Sequence, residues 1–176
     1  MGERLELVGD VVTLRPTVPA DARRLVAMRR TDEVRRWWRG HDIEAEVADD
    51  LADDGLVQLT IEADGRIVGL VQFAEEDDPD YRHAALDIYL DPAVHRRGYA
   101  TDALRTLTDY LFDQRAHHRL TIDPAADNHA AIGCYAAVGF RRVGIMRAYE
   151  RSGDGSWKDG LLMEMLAGDR VDGTQP

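Results

Sequence analysis

Two aspartates stand where carboxylates are costly. Asp87 lies inside Leu86–Leu90 (LDIYL) and Asp123 closes Arg119–Asp123 (RLTID), both short runs otherwise rich in strand formers. An acid in such a place is satisfied, solvent-facing or used. Used, the pair can hold an ammonium group or take a proton from it. Unused, Asp87 is a solvent-facing strand residue and Asp123 a turn cap before Pro124. A second chemistry-bearing stretch follows directly. Asp91-Pro92 ends the strand, and Val94-His95-Arg96-Arg97-Gly98-Tyr99-Ala100 leads into a helix-period run with Ala103, Leu104, Leu107, Leu111 and Phe112 on one stripe. A strand, a tight basic turn and a helix start gather backbone N–H groups and the positive end of a helix dipole around one point, flanked by Arg96 and Arg97. Such an arrangement cradles a pyrophosphate; the alternative is an ordinary basic turn. It is not a Walker A loop, which needs Gly-Lys-Ser/Thr, nor a dinucleotide turn, which needs three spaced glycines.

The segment Arg96-Arg97-Gly98-Tyr99-Ala100 resembles the acyl-CoA pyrophosphate loop of the GNAT N-acetyltransferases, Arg/Gln-x-x-Gly-x-Gly/Ala. Gly98 and Ala100 fill the small positions, and His95 stands where Arg or Gln is usual. A second segment is similar to that family's Asn-x-x-Ala-x-x-x-Tyr-x-x-x-Gly-Phe: Asn128, Ala131, Tyr135, Gly139 and Phe140 match in register. The resemblance implies acetyl-CoA as co-substrate and no metal. It implies cofactor contacts from His95, Arg96, Arg97, Gly98, Tyr99, Ala100 and Thr101. It also implies pairing of the pantetheine arm with the strand edge at Ile88, Tyr89 and Leu90, and a hydrogen bond to that arm from Asn128. Tyr135 is then placed beside the thioester sulfur as general acid. A departing thiolate needs a proton, and a phenol supplies one without being charged itself; a core aromatic is the other reading of Tyr135.

Acetyl transfer to an amine also needs a base or water chain, since alkylamines titrate near ~10. The thioester carbonyl needs a donor, expected from a main-chain N–H near Leu90. Asp87 and Asp123 resemble the strand acids with which aminoglycoside 6'-N-acetyltransferases handle the reacting amine. Trp37-Trp38-Arg39-Gly40 is similar to a Trp-rich segment of the same subgroup. Asp87, Asp123, Trp37 and Trp38 are therefore the expected acceptor-binding residues, with Asp87 favoured as base. Two adjacent tryptophans cannot share a helix face, so one is expected in the core and the other at a cleft. The resemblance implies a direct-attack N-acetyltransferase acting on a cationic primary amine, aminoglycosides first. Acylation of a hydroxylysine-type amine in siderophore assembly, of a polyamine or of a protein N-terminus are alternatives, as is a non-catalytic acyl-CoA-binding module.

The elements that must position these residues follow from pattern. Val11–Arg15 reads as a strand closed by Pro16, and helical pieces follow from Thr17, over Asp32–Trp38 and over Ile43–Leu51. Leu56–Ala63 and Arg66–Ala74 flank Asp64-Gly65, a two-residue hairpin turn, and the acidic Glu75–Asp80 stretch is a loop. After the long helix come the Arg119–Asp123 strand, a helix over Asn128–Val138 closed by Gly139, and strands Arg141–Tyr149 and Lys158–Leu166. This order predicts an α/β (α+β) fold with a mixed central sheet and flanking helices. On resemblance it is the GNAT fold, with splayed central strands at Leu86–Leu90 and Arg119–Asp123. One domain over 1–168 and a disordered tail over 169–176 are expected.

With 176 residues, 44% hydrophobic and 31% charged, the chain suits one globular core. No apolar run approaches a membrane span and no signal-peptide pattern stands at the start, so a cytoplasmic protein without membrane partner is expected, monomer or homodimer. Cys134 is the only cysteine, which excludes an internal disulfide; it reads as a packing residue. His41, His117 and His118 lack metal-ligand spacing, and His117 is expected to cap a helix end. Of the net charge of −11, residues 41–80 hold −13, fourteen acids against Arg66 alone, and the remainder sums to +2. That distribution argues against nucleic acid as partner. It is either a solvated acidic face or a field steering a polycation.

Overall fold

Asp64 and Gly65 both adopt positive φ, 51° and 70°, as a two-residue hairpin turn requires. The turn joins β3 (Leu56–Ala63) to β4 (Arg66–Glu76), the long hairpin from which the sheet extends both ways. The computed structural model describes residues 5–152 and 154–170. Towards the N-terminus, β2 (Thr13–Pro16) pairs antiparallel with β3, and β1 (Leu7–Val8) with β2. Towards the C-terminus, β5 (His83–Leu90) pairs antiparallel with β4, and β6 (Arg119–Ile122) parallel with β5. β8 (Trp157–Leu166) then separates β6 from the edge strand β7 (Arg141–Arg151). The order is β1-β2-β3-β4-β5-β6-β8-β7, a mixed eight-stranded sheet.

Helices cover both faces. On one lie α4 (Tyr99–Asp113) and α5 (His129–Val138). The expected α4 stripe is buried, with Ala103, Leu104, Leu107 and Leu111 fully so, against Leu86, Leu120 and Ile122 of the central strands. Each such leucine contributes about 1.5–3 kcal/mol by leaving water. On the other face α1 (Ala22–Arg29), α2 (Asp32–Trp37) and α3 (Ile43–Ala52) pack Leu25, Met28, Val34, Ile43 and Val47 against Leu70 and Tyr89.

β5 and β6 pair only at Ala84–Leu120, Ala85–Thr121 and Leu86–Ile122, and then part. β5 keeps its other edge paired to β4 as far as Leu90. This is the expected splay.

Three details depart from the sequence reading. β1 was not expected; its turn is held by Asp102 of α4, whose carboxylate accepts the Asp10, Val11 and Val12 amides at 2.8–3.0 Å. β4 runs on through Glu75 and Glu76, because Glu75 is anchored: it accepts from His117 Nε2 at 2.6 Å and pairs with Arg115. His117 is therefore a buried partner of Glu75 and not a helix-end cap. At the C-terminal side, Ala167–Asp169 forms a 3-10 turn and Arg170 pairs with Asp113, whereas the rest of the expected tail, 171–176, lies outside the described residues.

Candidate active site

Gly98 is the N-cap of α4 and the turning point of the loop that follows β5. After β5, Asp91 caps a 3-10 turn at Pro92–Val94 by accepting the Ala93 amide at 2.9 Å, and His95, Arg96, Arg97 and Gly98 are all exposed. Arg96 and Gly98 take positive φ, 63° and 80°. Left-handed residues within such turns can aim successive N–H groups toward one side, which is how backbone anion-binding concavities form. A Cβ on Gly98 would meet nothing, so glycine is there for its backbone angle and not for space. No side chain caps α4. The acid of its first turn, Asp102, is spent on the β1–β2 turn, so it does not compete with an anion for the Tyr99–Thr101 amides. Tyr99 reaches the Asp64 carboxylate at 3.3 Å, and the Thr101 hydroxyl lies 3.6 Å from Cys134 Sγ, joining α4 to α5.

The central seam supplies a second feature. Beyond Leu86 the β6-facing edge of β5 has no strand beside it among the described residues, so the main chain at Ile88 and Leu90 is available to an extended ligand. The Tyr89 ring itself points away, into the helical layer with Trp38. The exposed glycine turn and the uncapped start of α4 follow directly on the free strand edge of β5.

Strand alternation puts Leu86, Leu120 and Ile122 on the α4 side, so Asp87 and Asp123 share the opposite face. Asp87 keeps part of its surface open to solvent. Loss of water around the carboxylate, followed by the negative charges of Asp123 and Glu150, pushes it up to about 7. Tyr135, on α5, is buried; burial first, and then the charges of Asp87, Cys134 and Asp123, raise its phenol well above the ordinary value. It therefore keeps its proton at neutral pH while standing close to both acids.

Sequence reasoning missed three residues here. The ladder between β7 and β8 breaks between Met146 and Glu150, where three residues of β7 oppose Asp159 alone. Ala148 sits in this bulge at φ 49°, its amide donating to Asp159 Oδ1 at 2.8 Å. The bulge re-aims Tyr149 and Glu150. Interaction of the Tyr149 hydroxyl with Asp123, ahead of burial, pushes the phenol up to about 12. A Cβ on Gly160 would come within 2.8 Å of the Tyr149 ring, so glycine is needed for that close approach. Glu150 pairs with Arg39 at 3.3 Å, and Arg39 Nη1 also donates to the Arg151 carbonyl at 2.9 Å. The unusual Arg-Gly after two tryptophans, and Gly160 within a strand, were the available signals.

Both tryptophans are half-buried, with different neighbours. Trp38 is drawn toward the core, edge-on to Tyr89 with ring centroids 4.8 Å apart and beside Arg29, while Trp37 carries Arg36 over its ring at 4.7 Å. Asn128 turns out to cap α5, its Oδ1 accepting the Ala131 amide at 3.2 Å, which leaves its NH2 as a donor. Among the described residues no helix is long and apolar enough to cross a membrane.

Residues 12–141 match the family model described as "Acetyltransferase (GNAT) domain". The chain is 27% identical over 155 residues to aminoglycoside N(6')-acetyltransferase type 1 of Klebsiella pneumoniae, covering 77% of this chain and 76% of that one. It is 29% identical over 135 residues to spermidine N(1)-acetyltransferase of Escherichia coli K12, covering 73% and 72%. Among solved structures it is similar to Mycobacterium smegmatis RimJ in complex with CoA-disulfide, with TM-score 0.79 and 25% identity over 94% of this chain and 87% of that one.

Proposed function

Because this chain belongs to the acetyltransferase (GNAT) family and is an acetyl-transferring enzyme, we propose that it moves an acetyl group from acetyl-CoA to a primary amine by direct attack. The observation that carries this reading is the meeting, at one seam, of a cradle for pyrophosphate, two carboxylates and a buried phenol.

Acetyl-CoA supplies the activated acetyl group. The Gly98–Thr101 main chain, with Arg96 and Arg97, receives the pyrophosphate. The free edge of β5 pairs with the pantetheine arm, Asn128 donates to it, and an amide near Leu90 receives the developing oxyanion. Asp87, held near neutrality, takes the proton from the acceptor ammonium, and Asp123 with Tyr149 holds that ammonium in place. Tyr135 holds a proton at its hydroxyl for the departing sulfur.

An aminoglycoside 6'-amine heads the acceptor panel: the carboxylates Asp87, Asp123 and Glu150 favour a cation, and a curated relative bears that activity in its name. Spermidine stands beside it on the same grounds. Thiol release from acetyl-CoA, measured against kanamycin-like aminoglycosides, spermidine and lysine-type amines, tests the reading. Turnover with any of them supports amine acetylation. No thiol release with any, while CoA still binds, would leave an acyl-CoA-binding module instead.

A further inference from the structure

Beside the carboxylates lies a groove of opposite sign. It has a volume of about 880 Å³, in the range of small-molecule sites, and Arg35, Arg36, Arg39, Arg151 and Lys158 line it. Five cations converge there in a chain of net charge −11. Asp154, the carboxylate on its wall, is turned onto Ser156, accepting from its amide at 2.9 Å and its hydroxyl at 2.6 Å. Ser152, also on the wall, has a buried hydroxyl with no hydrogen-bond partner among the described residues. Like charges gathered in one concavity repel unless an anion joins them, and arginine forks match carboxylate and phosphate oxygens.

The groove adjoins the reacting centre through Glu150. That residue pairs with Arg39 on the groove wall, and its charge reaches Asp87. We propose that the groove binds an oxyanion, carboxylate or phosphate, carried by the same molecule whose amine reaches Asp87 and Asp123. This rests on the acetyltransferase reading and sets an amine with an anionic far end ahead of the aminoglycoside and spermidine as its acceptor. Four of the fourteen acids of 41–80 are engaged by neighbouring cations: Glu44 by Arg30, Glu46 by Arg29, Glu62 by Arg15, and Glu75 by Arg115 and His117. A polycation reaching past Arg39 would meet like charge.

Three probes with one chain and one amine isolate the far end: 6-aminohexanoate, 6-aminohexyl phosphate and 1,6-diaminohexane. With acetyl-CoA saturating, kcat/KM of the intact protein is expected at least tenfold higher for one of the anionic probes than for the diamine. Which of the two leads tells carboxylate from phosphate. In Arg35→Gln/Arg36→Gln, two exposed positions on α2, that ratio falls at least tenfold. A diamine preferred or equalled by the intact protein, or a ratio unmoved by the substitutions, overturns the proposal. Thermal melting with inorganic phosphate separates the two readings. A phosphate-induced rise in Tm that the variant lacks, without acetylation of any amine, leaves the oxyanion site standing and removes the acetyltransferase reading with its acceptor. Acetylated diamine with no phosphate effect does the reverse.

Discussion

Asp87 and Asp123 occupy the rung that the β5–β6 ladder never makes. The last pair joins Leu86 to Ile122, and one residue further on the two strands have parted, each presenting an aspartate on the same face. Burial first, and then the negative charges of Asp123 and Glu150, push the Asp87 carboxyl up to about 7. A carboxyl so raised suits a base.

Asp87→Asn is expected to lower kcat/KM by about 100-fold, the scale of a lost general base. Activity of the unaltered enzyme needs the carboxylate ionised, so it falls as pH drops through about 7. The Asn variant should lack that limb. The same carboxyl shapes stability. Its folded value lies above the unfolded 3.8, so the folded state holds the extra proton and stability declines as pH rises from 3.8 to about 7. Denaturation midpoints at pH 5 and pH 8 should differ less in Asp87→Asn than in the parent. A pH–rate limb that survives the substitution would move the base elsewhere.

Tyr135→Phe removes a proton donor and leaves the ring packed beside Phe140. The expected result is a drop in kcat of roughly 100-fold or more, with little change in Tm or in the KM for acetyl-CoA. A kcat within threefold of the parent would return Tyr135 to a packing role.

Gly98→Ala forces a Cβ onto a φ of 80°, at a cost of about 1 kcal/mol. Since the space around it is open, the damage falls on the angle of the amides and not on packing. KM for acetyl-CoA should rise severalfold while the KM for the acceptor stays put. An equal rise in both would detach Gly98 from the pyrophosphate.

Much of this site was legible in the sequence. Asp64-Gly65 announced its hairpin, the α4 stripe its buried face, and strand alternation the common sheet face of Asp87 and Asp123, because each signal is local or repeats at a fixed period. What stayed hidden depends on partners distant in the chain. Tyr149 and Glu150 reach the site through a bulge centred on an alanine held by Asp159, and nothing in Arg-Ala-Tyr signals a positive φ. Arg39 gains meaning only from Glu150, more than a hundred positions on, and β1 exists because Asp102 reaches back to its turn.

Gly160→Ala tests the bulge directly. The added carbon would lie 2.8 Å from the Tyr149 ring, which must then swing away from Asp123. The KM for the amine should rise while the KM for acetyl-CoA is unchanged. A crystal structure with the ring unmoved would contradict this.

Glu75→Gln weakens its pair with Arg115 and its 2.6 Å contact with the fully buried His117 side chain. About 1–3 kcal/mol of stability should be lost, read as a lower urea midpoint. Hydrogen bonds from Arg115 hold the Glu75 carboxyl below its ordinary 4.5, so its contribution is present above that value and fades as pH falls through the lowered one.

Among the described residues, three strand-to-strand rungs join β1–β5 to β6–β8–β7 within the sheet. The sheet is thus two leaves bound along a short spine, with the groove for the acyl donor opening where the binding stops. A ligand lying along β5 acts as further stitching, lengthening the spine at the moment the reactants meet. Breathing of the leaves and turnover should therefore be coupled: whatever tightens the spine slows the escape of product as well as the fraying of the fold.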